Sequence, residues 1–215
     1  TEERFSYHGQ FWNIKNARVS PRPIQKPHPP ILTGGTSDKT YEFAGRNGYG
    51  IFVPPLLPFK ALERQFEIYR DACASNGHEP NIVYLRPIYI GDDPHQIRNE
   101  CHEYLSNFLA YNAKPVDLIQ HSPDELRAAG YDFYASGALE SLTKLSYEDL
   151  IEQDIAFVGS PEQVIEKIEW LRENGGISEI DILTCYGGME HWKSLKQQEL
   201  FARHVLPIFR NGGDD

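Results

Sequence analysis

From Pro30 onward, short apolar runs alternate with amphipathic stretches, and most of the runs stop at glycine or proline. Short apolar runs are typical of buried strands, whereas amphipathic stretches of helical period indicate helices packed on a sheet. The alternation therefore predicts an α/β fold built from βα units on a parallel sheet. Four strands are expected: Ile31–Thr33, Gly50–Val53, Ile82–Ile90 and Ile180–Thr184.

Helices are predicted between and after these strands. Four of them cover Ser37 to Arg46, Phe59 to Ala74, a long stretch after Asp93, and Trp192 to Phe209. The strongest start signal follows the apolar run Ala156–Gly159. There Ser160 is expected to cap a helix, with Pro161 at its first position and Gln163 completing a capping box.

Two segments depart from this alternation within what is otherwise expected to be a single domain over residues 1–215. Residues 1–29 form a predicted extended arm, in which Gly9 marks the bend of a short hairpin and later prolines exclude a helix. Residues 112–154 hold only short helical pieces and are predicted to be an insertion, placed between the last two strands.

Charge and cysteine content exclude several classes of function. The formal net charge of −10 over 215 residues disfavours nucleic acids and anionic membranes as partners, since both select basic surfaces. Three widely spaced cysteines indicate a reducing cytoplasm rather than a disulfide framework. The eight histidines show no metal-binding spacing, so no metal site is expected. The chain lacks an initiator methionine, which fits a processed or truncated protein.

The four expected strands are too few to close an eight-stranded barrel, which needs about 250 residues. The sequence therefore predicts half of a (β/α)8 TIM barrel. Open sheet edges favour pairing with another chain. A homo-oligomer, or completion by a missing N-terminal half, is expected.

The end of the first strand carries the best candidate site. In a parallel sheet, ligands bind where strands end. Here Gly34 and Gly35 allow close approach of a ligand, and Thr36, Ser37 and Thr40 place hydroxyl groups at a helix N-terminus, where N–H groups favour a phosphate. The same pattern also fits a plain βα turn in which Ser37 is only a helix cap, and the residues alone leave both readings open.

Other strand ends carry weaker signals. Arg86 lies mid-strand among apolar residues, so it is expected to pair with a carboxylate or, as the lesser alternative, to contact an anionic ligand. Cys185–Gly188 and Val53–Pro55 fit either a ligand wall or a plain turn, and His8 is a weak candidate for proton transfer. No catalytic residue is identified.

Four segments resemble, in order and at compatible spacing, the luciferase-like flavin monooxygenases, the family of the bacterial luciferase α-subunit. These segments are Pro21–Ser37, Asn47–Gly50, Val158–Val164 and Leu200–Pro207. The resemblance runs from about Tyr7 to Arg210. It implies that the chain is the C-terminal half, roughly strands five to eight, of a (β/α)8 TIM barrel, and that the insertion over residues 112–154 acts as a lid. The strands that normally carry the catalytic histidine have no counterpart before Thr1.

The resemblance implies a flavin enzyme that takes reduced FMN from a separate flavin reductase. Such an enzyme oxidises a small organic substrate through a C4a-peroxyflavin, although a minority of the family use the deazaflavin F420. Residues aligned with Thr36, Ser37 and Thr40 contact the flavin phosphate in that family, beside Gly35. The alternatives are a flavin-binding protein without turnover and a phosphate-binding lyase or isomerase on a similar barrel. The identity of the substrate is not predicted.

Overall fold

A computed structural model describes residues 2–112, 121–128 and 131–210. Its internal contacts divide the chain into two units, residues 1–31 and residues 32–215. The prediction of a single domain thus stays a prediction, and each unit is described by itself below.

The first unit contains the expected hairpin. Strand β1 (Phe5–His8) pairs antiparallel with β2 (Asn13–Ala17), and the N–H of Gly9 donates to the carbonyl of Trp12 at 2.8 Å. The bend falls at Gly9, as the sequence predicts. A Cβ there would approach the far end of the Tyr7 ring, which is exposed.

The second unit continues the βα alternation. Its strands are β3 (Leu32–Gly34), β4 (Gly50–Val53), β5 (Ile82–Ile90), β6 (Phe157–Gly159) and β7 (Glu179–Leu183). Its α-helices, in chain order, are α1 (Asp38–Asn47), α2 (Glu63–Ser75), α3 (Pro94–Asn112), α4 (Pro123–Ala128), α5 (Asp132–Ala135), α6 (Ala138–Leu142), α7 (Tyr147–Glu152), α8 (Pro161–Gly175), α9 (His191–Leu200) and α10 (Leu206–Arg210). Within the described ranges, no helix combines the length and apolarity that a membrane span requires.

All pairs in the second unit's sheet are parallel, with β5 at the centre. β3 pairs with β4, β4 pairs with the first half of β5, and β7 pairs with Val83 to Pro87 of β5. β6 pairs with the last three residues of β5. The described strands therefore form an open sheet and no closed barrel, while the α/β class with a parallel sheet is confirmed.

The main core lies between this sheet and the helices α1, α2 and α8. Its strand members alternate along β4 and β5, as expected for side chains that face one side of a sheet. The members on these two strands are Ile51, Val53, Ile82, Tyr84, Ile88 and Ile90. Arg86 shares this face and is fully buried. A second core joins α3, α7 and the loop after β7, and it packs on Tyr89 near the end of β5.

The five helices predicted between and after the strands are present near their expected places, but two of them are not uniform. Phe59–Leu62 forms a 3₁₀ turn before α2, because Phe59 and Leu62 are both buried and a three-residue period aligns them. The last predicted helix divides into α9, a π-helical turn over Phe201–Val205, and α10. Pro207 has no N–H for the carbonyl four residues earlier, which loosens the helix here.

The sheet holds one strand more than the sequence predicts. The run that leads into the Ser160 cap forms β6, so residues 112–154 lie between β5 and β6 rather than between the last two strands. Three residues are too short for the pattern to separate from a loop, and only the end of β5 makes the run a strand. Residues 113–120 and 129–130 of this predicted insertion lie outside the described part of the chain.

Candidate functional site

The turn from β3 to α1 brings three of the predicted site residues together. Ser37 has an extended backbone and caps α1, with its Oγ accepting from the N–H of Thr40 at 3.3 Å. The hydroxyl groups of Ser37 and Thr40 lie 2.9 Å apart, and both residues are half-buried. Gly35 packs beside Thr40, and Thr36 lies half-buried between Gly35 and the cap. The helix cap expected if the segment is a plain βα turn is therefore present.

The two glycines of this turn serve different purposes. A Cβ on Gly35 would lie 2.8 Å from Cγ2 of Thr40, so packing against the first turn of α1 excludes a side chain. A Cβ on Gly34 would meet nothing closer than the Phe52 carbonyl at 3.6 Å. Gly34 is also exposed, so its backbone can be approached from outside. Packing explains the first glycine and leaves the second one free for another role.

The carboxylate of Asp38, which argues against an anion in this turn, is directed to α2. Arg64 donates to one of its oxygens at 2.6 Å and Gln65 donates to the other at 3.2 Å. The arginine offsets the negative charge close to where it arises. The N-terminus of α1, which carries the positive end of the helix dipole, therefore lies beside an ion pair rather than beside a free carboxylate.

The turn retains capacity to bind an anion. Helix geometry leaves the first N–H groups of α1 without helical acceptors. If the Thr40 hydroxyl donates to Ser37, then Ser37 Oγ accepts two hydrogen bonds and its own O–H remains available to a ligand. Lys39 is exposed on the same helical turn and adds a positive charge. This donor set fits a phosphate monoester at the surface of the sheet edge.

The prediction that Arg86 pairs with a carboxylate is wrong. Its guanidinium donates to main-chain carbonyls: Nε to Asp154 at 2.5 Å, Nη1 to Pro54 at 3.1 Å and Nη2 to Leu57 at 2.5 Å. It also stacks on the ring of Tyr84, with Cζ 3.4 Å from the ring centroid. Burial lowers the pKa of Arg86 to about 10, so the group is charged at neutral pH.

At the end of β7, packing against α3 accounts for Gly187. Gly187 has a φ of 59° and lies against the carbonyl of Tyr104 on α3, where a side chain would collide. Cys185 is exposed beside it. His8, the candidate for proton transfer, is exposed at the end of β1 in the first unit. Within the described ranges, no group of three or more acidic, histidine or cysteine side chains could hold a metal ion.

Sequence reasoning missed a polar cluster beside the β7 loop. Tyr104 donates to the carboxylate of Glu190, and Lys193 Nζ lies 2.8 Å from the Tyr104 hydroxyl and 3.6 Å from Glu190. The hydrogen bond to Glu190 raises the pKa of Tyr104. Because Tyr104 and Glu190 are 86 positions apart, no local pattern predicts their contact.

The family model for luciferase-like monooxygenases matches residues 1–179. The chain belongs to the luciferase-like monooxygenase family. The matched range includes the β3–α1 turn and the Ser160 helix start, and it ends before the Leu200–Pro207 segment that the sequence comparison also singled out. The family membership expected from the four motifs is thereby confirmed.

Two curated members of the luciferase-like monooxygenase family illustrate the similarity. An FMNH2-dependent dimethylsulfone monooxygenase of Pseudomonas putida is 27% identical, over 98% of this chain and 54% of its own length. The oxygenase component of a flavin-dependent trigonelline monooxygenase of Acinetobacter baylyi is 29% identical, over 63% of this chain and 40% of its own. This chain spans about half the length of the first of these relatives, and less of the second.

Solved structures of monooxygenases share the same fold. A monooxygenase of Streptomyces bottropensis superposes with a TM-score of 0.69 at 24% identity, covering 97% of this chain and 56% of that one. The oxygenating constituent of 3,6-diketocamphane monooxygenase of Pseudomonas putida, solved with FMN, gives 0.62 at 21% identity, over 95% of this chain and 58% of that one. An F420-dependent tetrahydromethanopterin reductase of Methanopyrus kandleri gives 0.64 at 22% identity, over the same shares of the two chains.

Proposed function

We propose that this chain is the C-terminal part of an FMNH2- and O2-dependent monooxygenase that oxidises a small organic molecule. The observation that carries the proposal is the family match, together with a relative named as FMNH2-dependent that aligns over 98% of this chain. Reduced FMN supplies the two electrons with which one atom of O2 becomes water while the other enters the substrate. A separate flavin reductase is the expected source of those electrons, since one relative is described as an oxygenase component.

Within this enzyme, the β3–α1 turn holds the phosphate of FMN. Ser37 and Thr40 supply hydroxyl groups, Thr36 supplies a third, and Gly35 keeps the first turn of α1 close to the strand end. The neutralised Asp38 and the exposed backbone of Gly34 leave the site open to a dianion. The chain's own part in the reaction is thus to bind and orient the cofactor from its phosphate end.

The sheet represents strands five to eight of a TIM barrel, with β6 as a short addition. Support comes from the open edge at β3, where Leu32 is 43% exposed, and from the share of the relatives that this chain spans. An N-terminal half, or a second copy of the chain, completes the barrel. The lid role of residues 112–154 is proposed from the resemblance to the family alone, since residues 113–120 and 129–130 lie outside the described part of the chain.

Equilibrium binding of FMN and of riboflavin to the chain tests the phosphate site, because the two ligands differ only in the phosphate. FMN is expected to bind at least about tenfold more tightly, since hydrogen bonds to a charged phosphate contribute about 1.5–3 kcal/mol each. Ser37→Ala removes one donor and should reduce this preference by a similar factor.

Ser160→Ala is the matched control, because Ser160 caps α8 through the same kind of bond. Both substitutions should lower the free energy of unfolding by about 1 kcal/mol, yet only Ser37→Ala should change the preference for FMN. Equal effects of the two variants on FMN binding would contradict the site. A parallel titration with F420 decides whether this chain belongs with the minority of the family that use the deazaflavin.

A further inference from the structure

A groove of about 830 Å³ in the second unit is lined by residues outside the β3–α1 turn. Its borders are the 3₁₀ turn Phe59–Leu62, the residues just before β6, and the middle of α8. Because no residue of the β3–α1 turn lines this groove, a ligand held here would bind at a different place from the proposed phosphate site.

One wall of the groove is an aromatic side chain that is held in place. The ring of Trp170, on α8, packs edge-on against Phe59, with 5.4 Å between the ring centroids and 81° between the ring planes. Phe59 is buried and packs in turn on Phe66 in the main core. Trp170 itself is 44% exposed, so much of the indole remains open to a ligand. An aromatic ring of this kind attracts cations, and tryptophan does so best.

The base of the groove holds an ion pair that leaves most of this ring free. Lys167 Nζ lies 2.5 Å from the carboxylate of Asp154, which is a buried residue. The same ammonium group is 6.0 Å from the centroid of the Trp170 ring, at the outer limit of a cation–π contact. Because Asp154 neutralises Lys167 and holds it there, the lysine occupies only the margin of the ring.

The rim of the groove has an excess of negative charge. Glu63, Glu152 and Glu166 are exposed there, and Lys60 adds one positive charge. Within the described part of the chain, these three carboxylates have no ion-pair partner. Charges of one sign around a concave surface raise the local concentration of the opposite ion. The rim therefore favours a cation over an anion.

We propose that this groove is a second binding site, for a small organic cation of the quaternary ammonium class. The apolar part of the ligand contacts Trp170 and Phe59, while the rim carboxylates attract its charge. A bare metal ion fits less well, because the aromatic wall offers it no ligand and the described residues include no group that could hold a metal. The site is distinct from the flavin site and is tested without flavin.

Titration of the isotope-labelled chain with choline, followed at the indole N–H signals, tests the proposal. Trp12 and Trp192 are internal controls, because they are 72% and 60% exposed and neither lines the groove. Trp192 also has a lysine 5.4 Å from its ring, as Trp170 has at 6.0 Å. Choline should shift the Trp170 signal saturably and leave the other two nearly unchanged.

The uncharged isostere of choline, dimethylbutanol, separates a cation site from an apolar groove. It has the same shape without the charge, and it should bind at least about tenfold more weakly, since the cation–π contact and the rim attraction are both lost. Equal affinity for the two compounds, a choline shift without saturation, or equal shifts at the three indoles would overturn the proposal.

Charge substitutions at the rim test the source of the attraction. Replacing all three rim carboxylates (Glu63→Gln, Glu152→Gln and Glu166→Gln together) should weaken choline binding by about tenfold, as each exposed charge contributes roughly two- to threefold. Glu169→Gln is the matched control, because Glu169 is exposed on the same helix and does not line the groove. It should leave the affinity unchanged within about twofold. All four positions are exposed, so folding is expected to be retained. Unchanged affinity in the triple variant, or an equal loss in Glu169→Gln, would contradict the site.

Discussion

The β3–α1 turn lies at the edge of the parallel sheet and the Arg86 side chain lies at its centre, and these two polar sites differ in whether their donors still lack partners. At the turn, the hydroxyls of Ser37 and Thr40 are half-buried and keep an O–H free. In the centre of β5, the guanidinium of Arg86 is fully buried and donates to four main-chain carbonyls, one of them that of the neighbouring Leu85. A free O–H group near solvent favours ligand binding. Buried N–H groups that already donate to main-chain carbonyls favour a structural role.

The difference also shows why a buried cation is weak evidence for a substrate contact. Arg86 was the most anomalous residue of β5 in the sequence, and an anionic ligand was a natural alternative for it. Its charge is instead met by carbonyl dipoles and by the face of Tyr84, while burial raises the pKa of Tyr84 to about 12 and keeps that phenol neutral.

The largest expected effect is the difference in the free energy of unfolding lost when Arg86 or Arg64 is replaced. Arg86→Met should lower the free energy of unfolding by about 3 kcal/mol, because it leaves buried carbonyls without donors. Arg64→Met removes a pair with Asp38 in which the arginine side chain is 76% exposed, and should cost less than about 1 kcal/mol. Urea unfolding at pH 7 measures both values. Similar losses of unfolding free energy in the two variants would remove the distinction between the buried Arg86 site and the β3–α1 turn.

A smaller effect separates the two glycines of the turn. Gly35→Ala forces the Thr40 side chain away from its bond to Ser37 and should cost about 1–3 kcal/mol. Gly34→Ala meets only the Phe52 carbonyl at an ordinary distance and should leave thermal stability unchanged within about 0.5 kcal/mol. Gly34→Ala should nevertheless weaken FMN binding if ligand approach is why this glycine is present. A stable Gly34→Ala variant with unchanged FMN affinity would limit the site to the helix start.

Local signals in the sequence were sufficient for most of the fold. Ser37 and Ser160 cap their helices as predicted, because the cap bonds of each residue reach only three positions along the chain. β5 has the predicted limits, since β-branched and aromatic residues occupy both of its ends, Ile82–Tyr84 and Ile88–Ile90. The hairpin at Gly9 was predictable because the hydrogen bond at its bend joins Gly9 to Trp12, only three positions along the chain.

Contacts that join distant positions were not predictable. The carbonyls that Arg86 binds outside its own strand lie 29 to 68 positions away, and the sequence offers no sign that main-chain atoms rather than a carboxylate would meet the charge. The arginine that neutralises Asp38 is 26 positions distant. β6 becomes a strand only through pairing with the end of β5. The candidate phosphate site could therefore be located from sequence, but not the charge balance that keeps it open to an anion.

The central claim is that the β3–α1 turn binds the phosphate of the flavin, and backbone amide chemical shifts of the isotope-labelled chain during titration test it most directly. With FMN, the largest shifts are expected at the amides from Gly35 to Lys39, because these N–H groups would bind the phosphate while that of Thr40 is engaged in the cap. Riboflavin, which lacks the phosphate, should leave them nearly unchanged. Shifts at these amides that are equal for the two ligands, or FMN-induced shifts confined to other parts of the chain, would contradict the account.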